Sequence, residues 1–363
     1  MLMALDLSTV LGLDIGSRYT KLVELRKSGK KIELGRKLKV ETPQQFEEIP
    51  AFIQGILRGH LTGLPQPENP FSASTVVLGM PKSQLTLKYI QLATADPEQI
   101  HKALESEVRK LLPFPPKDIT FSYHLQKKLL NKKAQILLVA LRKDLLEQYI
   151  SILKAGDFST RILEITPIAQ INCYLYNYNP SSRESIALMD IGATTTTITL
   201  LKEELLRFSR DIPIGGDTVV TAIKDKLDLD WERAAAMETN PGIALTPGEA
   251  DETAREIYYA LEPILDQLII ETERSFKISY YVDHPDLVTP QALVLMGGGS
   301  RLKNLDKYLE RRLNVPVIKA NPFNKIETRG EVAEDNSIWS IAVGLGLRGL
   351  VEFPISFNLF PET

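Results

Sequence analysis

Apolar and polar residues alternate at the start of the chain, in the stretch VLGLDIGSRYTKLVEL at residues 10–25. Two glycines and an aspartate interrupt the apolar positions of VLGLDIG, and TKLVEL resumes the alternation a few residues later. A period of two is typical of strands that are half buried in a sheet. The pattern therefore predicts a β-hairpin whose tip carries Asp14, Gly16, Ser17 and Lys21.

Along the rest of the first half of the chain, segments whose apolar residues have helical spacing alternate with segments that have the spacing of strands. A helical pattern covers residues 43–61, a proline-rich loop follows at residues 63–74, and TVVLGM and QLTLKYIQLA predict strands. The next helix opens at Asp96, an N-cap residue followed by proline and glutamate. ITFSYHLQ and AQILLVALR predict strands around a basic tip at residues 127–133, and KDLLEQYISILKAG predicts a helix closed by Gly156. TRILEI predicts one more strand before another helix.

The pattern of the first hairpin returns in the second half of the chain. ALMDIGATTTTITL, which starts at Ala187, aligns with the first hairpin so that Asp190 matches Asp14, Gly192 matches Gly16 and Thr196 matches Thr20. A third strand and a glycine-led helix start, IPIGGDTVVTAI, follow it. Two copies of one turn in matched contexts predict a duplicated α/β domain.

The remaining pattern is helical and then returns to a sheet. Residues 231–281 are mostly helical and charged, with a break at NPGIALTPGE. ALVLMGGGSRLKNLDKYLERRLNVPV then predicts a buried strand, a turn of three glycines and a helix.

Composition and charge exclude several classes of protein. The chain has 363 residues and a formal charge of -3, so it is long enough for two domains and has no overall basic field for a nucleic acid. Its one cysteine, Cys173, excludes an internal disulfide and a zinc site of several cysteines. No apolar run is as long as a membrane span. We therefore expect a cytoplasmic protein.

The two Asp-Gly turns and the stretch MGGGS at residues 296–300 suit a nucleotide. Glycine lets backbone N–H groups come close to phosphate oxygens, and a carboxylate holds a magnesium ion or its waters. A helix N-terminus after a glycine turn also attracts phosphate. If the two hairpins face one another, they grip the phosphates of ATP from both sides.

At this point the chain resembles a known superfamily. GLDIGSRYTK resembles the first phosphate loop of the actin/Hsp70/sugar-kinase superfamily, LMDIGATTTTI its second loop, and VLMGGGSRLKNL its adenosine motif. ESEVRKLLPFPPKDITFSYHL, IPIGGDTVVTAI, ERAAAM and ETERSFKISYY resemble segments of the PilM group of type IV pilus assembly and of the cytoplasmic part of GspL in type II secretion. The implied fold class is α/β, actin-like (ribonuclease-H-like) and duplicated, with an inserted FtsA/PilM-type subdomain.

The resemblance also implies domain boundaries. The first actin-like domain covers residues 1–79 and 136–165, around an inserted subdomain at 80–135. The second covers residues 166–230 and 286–350, around a helical subdomain at 231–285. Residues 351–363 form a C-terminal strand that is similar to a partner's segment.

Carried over residue by residue, the superfamily pattern implies ATP and magnesium as ligands. Asp14 and Asp190 would hold the magnesium ion, directly or through water. The implied nucleotide-binding residues are Asp14, Gly16, Ser17, Lys21, Asp190, Gly192, Thr194, Thr195, Gly215, Gly216, Glu271, Arg274, Gly298, Gly299 and Ser300. Arg18 and Tyr19 depart from the small residues of relatives, so the first loop is expected to be crowded or differently shaped.

Simpler explanations remain open for these residues. Asp14 and Asp190 could be ordinary turn aspartates, Lys21 could face solvent, and residues 297–299 could be only a strand-to-helix turn. No residue that positions a water for attack on the γ-phosphate is identified. The sequence thus leaves open whether the protein is an enzyme, and at most it predicts a slow ATPase.

The C-terminal residues PISFNLFPET follow the last predicted helix, NSIWSIAVGLGLRGL, and are too apolar for a disordered tail. They could form a final strand on the chain's own sheet. SFNLFP also resembles the Ile-Asn-Leu-Leu-Pro segment that begins PilN, the membrane partner that PilM-like proteins hold in a groove of the first domain. The hypothesis is that residues 357–361 occupy this groove, in the same molecule or in a neighbour, by strand addition.

Three functions compete. The first is an ATP-binding assembly scaffold at the bacterial inner membrane, with a PilN-like or GspL-like subunit as partner, a motor ATPase as a further partner, and self-association. The second is a sugar-type kinase, for which no acceptor-site motif is found. The third is a filament-forming protein similar to FtsA, which normally adds a C-terminal amphipathic membrane helix that the final residues do not form.

Overall fold

The computed structural model describes residues 8–58, 71–128, 133–180, 184–239, 243, 251–282, 290–328 and 336–360. Parts of four predictions lie outside these ranges: the end of the helix at 43–61, most of the loop at 63–74, the basic tip at 127–133 and the break in NPGIALTPGE. Residues 361–363, the end of the predicted C-terminal strand at 351–363, also lie outside them.

The residues pack into two units. The first contains residues 1–177, 323–331 and 341–363, and the second contains residues 178–322 and 332–340. The strands are β1 (Thr9–Ile15), β2 (Tyr19–Ser28), β3 (Lys31–Glu41), β4 (Thr75–Met80), β5 (Thr86–Leu92), β6 (Ile119–Lys128), β7 (Ala134–Arg142), β8 (Thr160–Ile165), β9 (Ser185–Ile191), β10 (Thr196–Lys202), β11 (Leu205–Ile212), β12 (Ala292–Met296) and β13 (Val317–Lys319). The helices are α1 (Ile49–Arg58), α2 (Pro97–Leu111), α3 (Lys143–Ala155), α4 (Thr166–Tyr178), α5 (Gly216–Leu227), α6 (Trp231–Thr239), α7 (Glu252–Val282), α8 (Leu305–Leu313) and α9 (Ser340–Arg348).

Each unit is built on a sheet of the same order. The first is β3-β2-β1-β4-β8 and the second is β11-β10-β9-β12-β13. In both, the first two strands of the repeat pair antiparallel, and the first strand pairs parallel with the fourth, as β1 does with β4 and β9 with β12. The predicted duplicated α/β fold is therefore confirmed.

An inserted sheet, β5-β7-β6, lies in the first unit, and α2 covers one of its faces. Ile100, Leu104 and Val108 of that helix pack against alternate residues of the strands. The helix begins as predicted, because the Asp96 carboxylate accepts hydrogen bonds of 3.1 Å from the N–H groups of both Glu98 and Gln99. This places a small independent core beside the main sheet.

Two features differ from the predicted pattern. KIELGRKLKV forms the full strand β3, which was not predicted although it completes the three-strand repeat, and the helix expected from residue 43 begins only at Ile49 after a short 3-10 turn. In addition, α4 and α9 pack in the first unit, whereas the predicted second domain included both.

Close backbone packing explains the position of α9. A Cβ atom on Gly12 of β1 would overlap the carbonyl oxygen of Ala342, and one on Gly344 would overlap the carbonyl oxygen of Ala169 in α4. Glycine allows these backbones to touch because it lacks the side chain. The C-terminal helix is thereby fitted onto the first sheet, and the residues after it continue along the same unit.

Candidate functional site

The first Asp-Gly turn joins β1 and β2 in the first unit. Gly16 donates its N–H to the carbonyl of Tyr19 (3.1 Å), and the Thr42 hydroxyl donates to the carbonyl of Gly16 (2.8 Å). The Asp14 side chain is nearly buried, and the Lys21 ammonium donates to its Oδ2 atom at 2.7 Å. Lys21 therefore does not simply face solvent; it supplies the positive charge beside the turn.

Tyr19 is one of the two large residues in this loop where relatives have small ones, and its ring has a defined contact. The Nζ atom of Lys39 on β3 lies 4.3 Å from the centre of the Tyr19 ring, within the range of a cation–π contact. Ser17 is exposed at the tip. The large side chain is thus held against the neighbouring strand.

The second Asp-Gly turn, in the second unit, repeats the first in detail. Gly192 donates its N–H to the carbonyl of Thr195 at 2.8 Å, the same hydrogen bond that Gly16 makes to Tyr19. Asp190 lies at the end of β9 and contacts Gly297, which has a positive φ of 83°. A Cβ atom there would collide with the Asp190 carboxylate. The glycine after β12 therefore leaves room for the acidic side chain.

Three glycines of separate segments come together in the second unit. A Cβ atom on Gly216, the first residue of α5, would lie 3.7 Å from the Gly192 carbonyl oxygen, 3.7 Å from the Gly299 Cα atom and 3.6 Å from Glu238 Oε1. Gly216 also donates its N–H to the Gly192 carbonyl at 2.9 Å. We call this group, Gly192, Gly216 and Gly299, the glycine cradle.

The cradle lies at the start of a helix, with the Gly216 N–H bonded to Gly192 and the Glu238 carboxylate as a neighbour. It brings the backbone of two glycine turns to the N-terminus of α5, where the helix dipole favours negative charge. No heavy atom within 4 Å would meet a Cβ atom at Gly298, so this glycine borders open space. The nearby carboxylate of Glu238, on α6, was not identified from the sequence, because WERAAAMET reads only as a helix.

Ser300 and the pair Glu271 and Arg274 lie in different settings. The Ser300 hydroxyl is wholly buried, donates to the Gly297 carbonyl at 2.7 Å and is hydrogen-bonded to the Ser337 hydroxyl at 2.8 Å, so it shapes the glycine turn. Glu271 of α7 forms an ion pair with Arg210 of β11 and a weaker one with Arg274 at 3.7 Å. A role for this pair beside the base and ribose stays a prediction, as do the roles of Thr194, Thr195 and Gly215.

The C-terminal segment, residues 351–360, packs on the first unit. Ile355, Phe357 and Leu359 are 2%, 3% and 7% exposed, so alternate side chains are buried as the sequence predicted. Leu359 donates its N–H to the carbonyl of Leu163 on β8 at 2.9 Å. The Asn358 side-chain oxygen accepts from the N–H of Leu163 at 3.1 Å. The segment thus lies along the free edge of β8 in its own molecule. The predicted strand is not formed by residues 351–360, because a single main-chain hydrogen bond joins them to β8.

A histidine of the inserted sheet borders the same segment. The His124 ring on β6 lies 6.2 Å from the Phe357 ring, centre to centre. Burial lowers the pKa of the His124 imidazole, and hydrogen bonds to the Pro354 and Ser356 backbone oppose that shift. We call the space between the β8 edge and His124, which the C-terminal segment fills, the edge groove.

Glu164, at the end of β8, is the charged group of the edge groove. Its side chain is 0% exposed. Oε1 accepts the Ile165 N–H at 2.9 Å, and Oε2 accepts the Arg348 guanidinium at 3.1 Å and the Phe357 N–H at 2.9 Å. Burial raises the pKa of the Glu164 carboxyl to about 7, although Arg348 and the two N–H donors act in the opposite direction.

Two features are absent from the described residues. No three histidine, cysteine, aspartate or glutamate side chains gather there as a metal-binding group. None of the helices in these ranges has both the length and the apolar character that crossing a membrane requires.

Comparison with known proteins gives a family and a fold. The model of a family described as type IV pilus assembly protein PilM matches residues 12–350. A solved PilM-PilN type IV pilus biogenesis complex has a chain that is 21% identical, with a TM-score of 0.77 over 94% of this chain and 99% of that one. The ethanolamine utilization protein EutJ from Carboxydothermus hydrogenoformans is 12% identical, with a TM-score of 0.53 over 93% and 89%.

A curated relative matches over a shorter stretch. The cell division protein FtsA of Pseudomonas aeruginosa is 28% identical over 181 residues, which is 46% of this chain. The match spans only 42% of FtsA. The structural similarities confirm the predicted actin-like class of fold.

Proposed function

The chain belongs to the PilM family of type IV pilus assembly proteins, and from this membership we propose that it is an assembly scaffold whose edge groove docks an extended segment of a PilN-like inner-membrane subunit. One observation carries the proposal. The edge groove already holds an extended apolar segment of the chain itself, so its shape and hydrogen-bonding groups suit such an occupant.

The contacts define how a partner segment would bind. The free edge of β8 offers the Leu163 N–H and carbonyl to an added strand, and neighbouring side chains bury every second residue of the occupant. Strand addition of this kind takes its affinity from main-chain hydrogen bonds and its specificity from pockets for alternate side chains. The Ile-Asn-Leu-Leu-Pro segment of PilN resembles residues 357–361, Phe-Asn-Leu-Phe-Pro, and this resemblance supports a PilN-like subunit as the partner.

ATP is the second ligand that we propose, with magnesium. The glycine cradle supports a phosphate site because it lies at a helix N-terminus and because the adjoining Gly298 borders open space. Magnesium keeps several waters and binds through one or two carboxylates together with phosphate oxygens, so the aspartate of either turn, Asp14 in the first unit or Asp190 in the second, is a candidate ligand without a cluster of protein ligands. Lys21 would balance the negative charge at the first turn.

The nucleotide would act mainly as a conformational ligand. No residue has been identified that positions a water for hydrolysis, so binding, rather than rapid turnover, is the property that the cradle supports. A ligand that binds one arrangement of a protein better shifts its population. In this proposal the protein is cytoplasmic and reaches the inner membrane through its partner.

Calorimetry with a synthetic Ile-Asn-Leu-Leu-Pro peptide, acetylated at its N-terminus so that the isoleucine keeps an amide N–H, tests the docking. The full-length variant Phe357→Ser/Leu359→Ser, which we call the open-groove variant, loses two buried anchors of the C-terminal segment. In the intact chain that segment competes at an effective concentration on the order of 1 mM. We therefore expect the open-groove variant to bind the peptide at least about tenfold more tightly than the unaltered chain.

A matched control removes apolar surface elsewhere. Tyr259 and Ile270 are exposed on α7 in the second unit, so Tyr259→Ser/Ile270→Ser should bind the peptide as the unaltered chain does. If the open-groove variant is folded by circular dichroism and releases no heat with the peptide at millimolar concentration, the docking proposal is wrong.

A further inference from the structure

Two buried glutamates of the first unit have different partners. Glu24 and Glu164 are both 0% exposed, and each is paired with an arginine, Arg26 and Arg348 respectively. Glu24 takes its other hydrogen bonds from Ser72, within the body of the unit. Glu164 takes one of its bonds from Phe357, in the segment that follows the last helix. Of these two glutamates, Glu164 is the one that contacts the C-terminal segment.

A buried carboxylate needs its hydrogen bonds. Removing an ionised group from water is costly unless charge and donors replace the water, and a lost donor leaves that cost uncompensated. Arg348 and the Ile165 N–H hold the carboxylate from the α9 and α4 sides, and this contact is independent of the segment. The remaining position on Oε2 points to the groove and is filled by a main-chain N–H.

The segment is recognised through alternate N–H groups. Phe357 donates to Glu164 and Leu359 donates to Leu163, both at 2.9 Å. The Asn358 N–H, between them, makes no hydrogen bond to either residue; there the Asn358 side chain accepts from Leu163. The main-chain carbonyl of Leu163 accepts the Leu359 N–H, and the Glu164 carboxylate accepts the next one, from Phe357. The carboxylate thus adds one hydrogen-bond acceptor to the edge of β8.

We infer that Glu164 is the specificity-determining residue of the edge groove: it requires an N–H at the position of Phe357 and excludes a segment with proline there. For a partner's segment this inference rests on the proposed function, and for the chain's own segment it does not. The occupant is an extended segment with apolar side chains at the positions of Ile355, Phe357 and Leu359 and a free main-chain N–H at the second of them.

Peptide esters test the inference directly. The probe is a synthetic peptide of residues 351–360, made also with an ester in place of the amide N–H at the Phe357 position or at the Asn358 position. An ester removes the donor with little change of shape. Hydrogen bonds to charged groups contribute about 1.5–3 kcal/mol, which corresponds to about a 10- to 100-fold change in affinity.

At about pH 8.5, where a carboxyl with a pKa of about 7 is ionised, the Phe357 ester should bind to the open-groove variant at least about tenfold more weakly than the amide peptide. The Asn358 ester should bind within about twofold of the amide. Adding Glu164→Gln should reduce the effect of the Phe357 ester to about threefold or less, since the acceptor is then neutral. Adding Glu24→Gln, the matched control, should leave the full effect of the ester.

If the open-groove variant no longer folds once Glu164→Gln or Glu24→Gln is added to it, hydrogen exchange in chains that carry only one of these glutamate substitutions provides a second test. Glu164→Gln should speed exchange of the amides of residues 355–360 at least about tenfold, while Glu24→Gln leaves them unchanged. Equal exchange in the two variants, or equal binding of the two esters, would overturn the inference. If the peptide of residues 351–360 shows the Glu164 effect but the Ile-Asn-Leu-Leu-Pro peptide never binds, the proposed function fails and the inference for the chain's own segment stands.

Discussion

At the scale of single residues, the pKa of Glu164 links the edge groove to pH. Burial is the largest influence and raises the pKa to about 7 from the ordinary value of 4.5. A carboxyl whose pKa is higher in the folded protein contributes its full stability below pH 4.5 and loses it as the pH rises through 7. Arg348 and His124 are the other charged or titratable groups at the groove.

The prediction concerns the free energy of unfolding of the unaltered chain compared with Glu164→Gln. Because both proteins contain His124 and Arg348, their difference isolates Glu164. We expect the unaltered chain to lose up to about 3 kcal/mol relative to the variant as the pH rises from 4.5 through 7, with no further change above about pH 8.5. Denaturant unfolding at several pH values measures this, and a difference that is constant with pH would contradict it.

At the scale of secondary structure, a substitution at the N-terminus of α5 should affect ligand binding without affecting folding. A methyl group on Gly216 would lie 3.6–3.7 Å from its nearest neighbours, an ordinary contact, so Gly216→Ala should fold with a change in stability below about 1 kcal/mol. The same methyl group fills the space in the glycine cradle that we assign to phosphate.

We therefore predict that Gly216→Ala binds ATP with magnesium at least about tenfold more weakly than the unaltered chain, as measured by calorimetry. Thr221→Ala, an exposed change on the same helix, is the control and should bind normally. Unchanged affinity in Gly216→Ala would exclude the cradle as the phosphate site.

Elements that are encoded locally could be predicted from the sequence. Both Asp-Gly turns, the start of α2 at Asp96 and the duplicated sheet follow from short motifs and period, and the structure confirms them. The strand β3 was missed because its lysines and arginines obscure the period of two in KIELGRKLKV.

Features that depend on distant parts of the chain could not be predicted. Glu164 meets Arg348 and Phe357, which lie 184 and 193 residues away, so no local pattern marks it as a binding residue. Likewise, the assignment of α9 to the first unit depends on backbone contacts at Gly12 and Gly344. The only signal at Glu164 is a charged residue near the end of an otherwise apolar strand, TRILEI.

At the scale of the whole molecule, the two units carry two different ligands in this account. The second unit contains the glycine cradle, and the first contains the edge groove together with the other Asp-Gly turn. The PilM family model covers both units, since it matches residues 12–350. The chain's own C-terminal segment follows that stretch and fills the edge groove, so a partner's segment must displace it.

Photo-crosslinking with mass-spectrometric mapping tests this central claim most directly. The Ile-Asn-Leu-Leu-Pro peptide would carry a photoreactive benzophenone at the isoleucine, which matches Phe357, and would be irradiated with the full-length open-groove variant. We predict crosslinks to β6 around His124 and to residues 162–166, and their loss when an excess of the peptide of residues 351–360 is added. Crosslinks confined to the second unit, or unaffected by that competitor, would contradict the account.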